Sequence, residues 1–147
     1  MTRIAHCCCD SLCADATGEP AFVVACHCIE CQHRTGSPWR QHLFPKEQVR
    51  TEGPSKVYVR GSASGRKIEF HFCPTAVPRC PGSRNLFGIL SSSPFGAFAD
   101  PSMPWPTLSV WETTRHPWVT FDHDLDHFID NNLATNGKNH TPISNES

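Results

Sequence analysis

The chain has 147 residues, a formal charge of −1 and charged side chains at only 18% of positions. That length suits a single domain with a modest core, and the lack of any Lys/Arg block excludes the concentrated basic face that non-specific nucleic-acid binding needs. No apolar run is long enough to span a bilayer, and Met1-Thr2-Arg3-Ile4-Ala5-His6 carries no apolar leader core, so no membrane association is expected.

Nine cysteines, an odd number, fit a reduced, cytoplasmic, metal-binding protein better than a disulfide framework. Thirteen prolines and nine glycines interrupt the chain too often for long helices, and the apolar segments are short and alternating. The expected fold class is therefore mainly β, one domain with a few short helical turns.

Taken in chain order, the first feature is Cys7-Cys8-Cys9, a C-x-C pair near the N-terminus. Ala21-Phe22-Val23-Val24-Ala25 reads as a strand that delivers the loop Cys26-His27-Cys28-Ile29-Glu30-Cys31. In C-x-C two sulfurs can face one side of an extended chain, and C-x-x-C lets a turn bring a third to the same ion, so this segment can supply three corners of a tetrahedron. Thiolates select zinc, cuprous copper or iron–sulfur clusters; the spacing does not match the usual cluster motifs, which leaves zinc as the default and a redox or buried thiol cluster as the alternative. His27, between two ligands, is expected to face away from them or to serve as a fourth ligand. His33 and His71 are expected to be surface or satisfied residues.

Further along, Phe44 to Val49 reads as one helical turn with Pro45 near its start. Lys56 to Arg60 is expected to pair with Lys67 to Phe72 across the Gly61 to Gly65 turn, with Ile68, Phe70 and Phe72 on one face. Cys73-Pro74 then follows as one half of a zinc knuckle, which with Cys7 and Cys9 would staple the N-terminal strand to the middle of the sheet. Cys8 and Cys13 fit no such spacing. Short strand candidates follow at Asn85 to Leu90, Phe95 to Ala99 and Leu108 to Trp111, then a helical fragment at Leu125 to Ile129. Trp105, Trp111 and Trp118 are expected to serve packing, or to wall a cleft. The domain is expected to span 1–126, with 127–147 a polar, disordered tail.

Assembled, these residues resemble the glutathione-dependent formaldehyde-activating enzyme family, whose domain is shared with centromere protein V. The carriers are Cys7-Cys8-Cys9 with Gly18-Glu19-Pro20, then Cys26 through Ser37, Phe44-Pro45, Ser64-Gly65, and Phe70-His71-Phe72-Cys73-Pro74. Phe95 through Pro101, Ser109-Val110-Trp111-Glu112 and His116-Pro117-Trp118 complete the series. The resemblance implies a β-rich, Mss4-like fold with two zinc sites: Cys26, Cys28 and Cys31 at the catalytic ion, and Cys7, Cys9 and Cys73 as three of four ligands to a structural one. The family pattern continues Cys-Pro-x-Cys-Gly, whereas here Cys73-Pro74-Thr75 runs into Ala76-Val77-Pro78-Arg79-Cys80. Loss and recovery of pattern near Phe95 is what a local reading-frame shift produces; re-reading the coding DNA should then restore Cys-Gly after Thr75. Alternatively Cys80 swings in as a substitute ligand.

Three protein ligands and one open position suit catalysis, and three thiolates make zinc too weak an acid toward water for hydrolysis to be the first expectation. A thiol substrate can instead take the fourth position and add to an electrophilic carbon, which matches the S-hydroxymethylglutathione chemistry, formally a carbon–sulfur lyase run in reverse, that the resemblance implies. Glutathione is then the co-substrate. Arg34 is expected to pair with a substrate carboxylate, and Gln32 and Thr35 to hydrogen-bond substrate or the ligand sulfurs. Three other readings stay open: a non-catalytic zinc module that binds a protein partner, an inactive frame-disrupted family member, and a thiol redox sensor. Oligomeric state has no signal in the chain.

Overall fold

The computed structural model describes residues 1–62, 65–76, 84–86 and 90–130, and it is mainly β as expected. The chain forms two compact units, Met1–Ala21 with Gln41–Met103, and Phe22–Arg40 with the chain from Pro104 onward.

In the first unit, β1 (Thr2–His6) and β2 (Cys13–Thr17) form an antiparallel hairpin, and β2 pairs in turn with β5 (Val49–Glu52). Alternation turns Ala14 and Ala16 inward, and their small side chains leave room for large neighbours. Ala5, Ala14, Ala16, Phe44, Phe98 and Met103 form the buried cluster, with Phe44 and Phe98 rings 6.2 Å apart. A second antiparallel set runs in the order β4 (Trp39–Pro45), β9 (Leu90–Pro94), β8 (Arg84–Leu86), β7 (Lys67–Phe72), β6 (Lys56–Gly61). The β6–β7 register, Lys56 opposite Phe72 and Gly61 opposite Lys67, is the expected hairpin, closed by the Gly65 N–H on the Ser62 carbonyl with Gly65 at φ 77. Ile68 and Phe70 are buried on its inner face and Phe72 is half-buried. The expected helical turn is a 3-10 helix, Lys46–Gln48, with Pro45 at its cap.

In the second unit, β3 (Phe22–Cys26), β10 (Leu108–Val110) and β11 (Asp126–His127) lie side by side, all parallel. The α-helix among the described residues of this unit, α1 (Ile29–Thr35), follows β3 after two intervening residues.

Four expectations change. The segment after Cys28, read as loop, is helical because Cys28 caps it and Gly36, at φ 70, ends it with its N–H on the Gln32 carbonyl. Asn85 to Leu90 is not one strand: β8 ends at Leu86 and β9 begins at Leu90. Phe95–Phe98 is a 3-10 helix, since Gly96 and Ala97 lack the branched side chains a strand packs, and Ala99 turns the chain at φ 48. Leu125 to Ile129 is no helix: Asp126 and Phe128 donate their N–H groups to Thr107 and Ser109 carbonyls, and Phe128 is buried, so the boundary expected after Asp126 falls inside β11.

The loop from Cys7 to Leu12 that closes the β1–β2 hairpin has Cys7 N–H on the Leu12 carbonyl and Asp10 in the left-handed region at φ 57. It lies against Gly53, which stands at φ +104 and whose added Cβ would sit 1.9 Å from the Ser11 carbonyl oxygen. Gly53→Ala should therefore destabilise the protein by about 2–4 kcal/mol, combining backbone strain with overpacking, as read by the midpoint of urea unfolding. An unchanged midpoint would show that the loop moves aside freely.

Candidate metal centres

Each unit brings three cysteine sulfurs together. Cys7, Cys9 and Cys73 form one group and Cys26, Cys28 and Cys31 the other, and within each group all three sulfurs lie within 4.8 Å of one another. Among the described residues these are the groupings of His, Cys, Asp or Glu side chains able to hold a metal ion.

In the first group the Cys7–Cys9 and Cys9–Cys73 sulfurs are 3.5 and 3.6 Å apart. Backbone amides serve the sulfurs: Leu12 N–H points to Cys7 Sγ at 3.3 Å, and Thr75 and Ala76 N–H to Cys73 Sγ at 3.4 and 3.3 Å. Burial works against the Cys7 thiolate, but hydrogen bonds from Leu12, Cys9 and Ser11 outweigh it and bring the thiol down to about 6. Cys73 is lowered too, first by the Ser11 hydroxyl and then by the Ala76 N–H. Cys13, by contrast, is raised by burial and then by Asp15 and Glu52, which suits a spare thiol rather than a ligand.

The second group is made by the join of a strand to a helix. Cys26 is the last residue of β3, Cys28 caps α1, and Cys31 lies one turn in; Cys31 N–H meets Cys28 Sγ at 3.4 Å. Cys26 and Cys31 are buried and Cys28 is partly exposed, so access to the cluster is from the Cys28 side. The Cys28 and Cys31 sulfurs, and after them burial, push the Cys26 thiol far up. The Cys26 thiol thus resists ionisation until a cation balances the charge of the cluster.

The residue between these ligands is clamped from every side. His27 N–H donates to the Val110 carbonyl at 3.0 Å, and its carbonyl accepts from Gln32 Nε2 at 2.7 Å and the Thr114 hydroxyl at 2.7 Å. Its ring is fully buried and Nε2 is 3.0 Å from Ser109 Oγ. Ser109 donates its one proton to Glu112 Oε1 at 2.5 Å, so Nε2 must carry the hydrogen of that pair. Glu112 Oε1, itself buried, also accepts from His127 Nδ1 at 2.6 Å, with Arg115 Nε 4.0 Å away. Burial, against the pull of Glu112, holds His27 down to about 4 and its imidazole neutral at physiological pH. Trp111, at φ 59, turns the chain between Ser109 and Glu112 and is held by its N–H on the Asp130 carbonyl.

The other expected site residues are placed as follows. Gln32 spends its amide on the protein, donating to His27 and Thr114 carbonyls and taking a contact of 2.6 Å from His116 Nε2 on Oε1. The Thr35 hydroxyl is 2.8 Å from the Cys31 carbonyl and accepts from Ser37 N–H, which orders the end of α1. Both side chains thus hold the loop rather than reaching outward. Arg34 is exposed on α1. Cys80 lies outside the described residues, as does the chain beyond Asp130. His33 is exposed and His71 half-buried, 3.7 Å from the Glu69 carboxylate. Trp105 and Trp118 do not pack inside: they are 62% and 71% exposed, Trp105 edge-on to His123 and Trp118 stacked on His116 at 5.5 Å. Ser109, Glu112, Thr114 and His127 had no expected role. Ser109 and Glu112 stood in a quoted motif, but nothing in their spacing shows that the parallel pairing of β10 with β3 sets them beside His27.

Fold and clusters define the class: a small, mainly β protein with two thiol sets able to hold soft metal ions. A family model described as glutathione-dependent formaldehyde-activating enzyme matches residues 2–114, and the chain belongs to that family, whose domain is Mss4-like. No curated protein matches it. Zinc fits the donors: each set offers three thiols, and backbone N–H groups already turned toward Cys7, Cys73 and Cys28 favour their thiolate forms. No helix among the described residues is long and apolar enough to cross a membrane.

Ser109→Ala removes the acceptor for His27 and one donor to Glu112 in a fully buried place. Stability should fall by about 1–3 kcal/mol in urea unfolding, and metal bound by the Cys26 cluster should exchange faster with a chelator. No change in either would mean that the network does not hold the loop.

Proposed function

We propose that the chain is an enzyme joining a small thiol to formaldehyde, S-hydroxymethylglutathione formation in the family's terms and a carbon–sulfur lyase reaction in the reverse direction. The observation that carries this reading is the Cys26–Cys28–Cys31 set, three sulfurs on one clamped turn with access from Cys28. Zinc bound there would supply charge that favours the thiolate of an incoming thiol at neutral pH. The reaction balances simply: the substrate sulfur forms a bond to the aldehyde carbon, and the carbonyl oxygen takes the proton the thiol gave up.

The chain's own contribution is geometry. Gln32, Thr114 and Val110 fix the backbone of His27, so the sulfurs on either side of it are held in place before substrate arrives. Gln32 and Thr35 take this supporting role, and Arg34, exposed three residues beyond Cys31, offers the planar cationic group that suits a glutathione carboxylate. His116, drawn to Gln32 and stacked under Trp118, sets an exposed aromatic surface beside the same helix.

Cys28→Ser should lower adduct formation from glutathione and formaldehyde by at least about 100-fold while the protein stays folded, measured as the enzyme-dependent rate of hemithioacetal appearance by NMR. An unchanged rate would exclude this function, leaving the cluster a non-catalytic metal site.

A further inference from the structure

The first cluster is one donor short of the four that a closed structural zinc site needs. Ala76 stands where the family pattern has its fourth cysteine; its N–H still reaches Cys73 Sγ at 3.3 Å and its methyl packs against Cys7, Leu12 and Cys73. The knuckle backbone is thus intact while its ligand is gone. Among the described residues, no other His, Cys, Asp or Glu joins the group.

A serine occupies the gap. Ser11 Oγ lies 3.0 Å from Cys9 Sγ, 3.3 Å from Cys73 Sγ and 3.8 Å from Cys7 Sγ. In the metal-free chain that hydroxyl can donate its one proton to one sulfur and accept from a thiol, and a position within reach of all three sulfurs is also that of a fourth vertex around a shared ion. Zinc bonds of about 2.3 Å to sulfur and about 2.0–2.2 Å to oxygen make tetrahedral vertices about 3.8 Å apart for two sulfurs and about 3.5 Å for sulfur and oxygen. The sulfur separations of 3.5 and 3.6 Å are slightly shorter than the first value, and the 3.0, 3.3 and 3.8 Å distances to the hydroxyl lie on both sides of the second. Gly53 contributes by lacking a side chain, since any Cβ there would strike the Ser11 carbonyl and move this loop.

We infer that Ser11 Oγ is the fourth protein donor of the Cys7–Cys9–Cys73 zinc site, replacing the absent cysteine with an oxygen. The inference rests on this cluster holding zinc. A neutral hydroxyl in place of a thiolate leaves the complex one negative charge lighter and binds more weakly, so this site is the one that loses metal more readily than a four-cysteine site would.

The test is zinc affinity by chelator competition on the full chain carrying Cys28→Ser, so that the remaining intact cluster dominates. Ser11→Ala should weaken zinc by about 10–100-fold, Ser11→Cys and Ala76→Cys should tighten it, and Cys80→Ser should leave it unchanged. Zinc X-ray absorption of the unaltered chain adds a readout that needs no variant: three sulfurs per zinc with an oxygen completing the shell. A sulfur count above three, or affinity lost in Cys80→Ser and kept in Ser11→Ala, assigns the vertex to Cys80 and overturns the inference. Zinc that fails to bind in Ser11→Cys and Ala76→Cys as well overturns the reading of the cluster as a zinc site together with it.

Discussion

Crowding of sulfur is the constraint that organises this protein. Two sets of three thiols are each gathered within 4.8 Å, and neutral packing gives little reason for that, because neutral thiols in contact yield only ordinary dispersion. A soft cation turns the arrangement favourable, and its binding free energy then becomes folding free energy. The two clusters stand differently toward ionisation. Backbone and hydroxyl hydrogen bonds hold Cys7 and Cys73 below the ordinary thiol value, whereas Cys26 is held high by its own partner sulfurs.

Each cluster is built from short, unlike pieces of local structure. The first uses a hairpin loop whose path over Gly53 leaves no room for a side chain, and a knuckle after β7 that returns Cys73 to it. The second uses a strand end and a helix cap, with the peptide between them tied to β10 and to the turn after it. The buried chain of His27, Ser109, Glu112 and His127 runs outward from that peptide to a histidine with 22% of its side chain exposed. In it His27 donates to Ser109, Ser109 donates to Glu112, and Glu112 also accepts from His127, which favours a single arrangement of the loop.

Much of this was legible in the chain because cysteine spacing is a geometric statement. C-x-C-x-x-C at Cys26 and the split set at Cys7, Cys9 and Cys73 can be read without knowing the fold, and alternation in Lys67 to Phe72 marks a strand with one inner face. What escaped depends on pairing between distant segments. Seven residues at Ile29–Thr35 carry no helical apolar period, and their helix follows from the caps at Cys28 and Gly36. Asp126–His127 is a strand because β10 is next to it, not because of its own composition. From the chain alone Gln32 is expected to hydrogen-bond substrate or the ligand sulfurs, and the carbonyls that take its amide come from His27 and from Thr114, 82 positions away. Ser11 is one of many serines until the hairpin sets it over three sulfurs.

Native mass spectrometry of the full chain, with zinc resupplied after chelation, tests the central claim most directly. Two zinc ions per chain are expected, and the ion at the Cys7 cluster should leave at a lower chelator concentration in the Ser11→Ala variant than in the unaltered chain. A chain that takes up no metal under any resupply, and keeps its fold without it, would contradict the account.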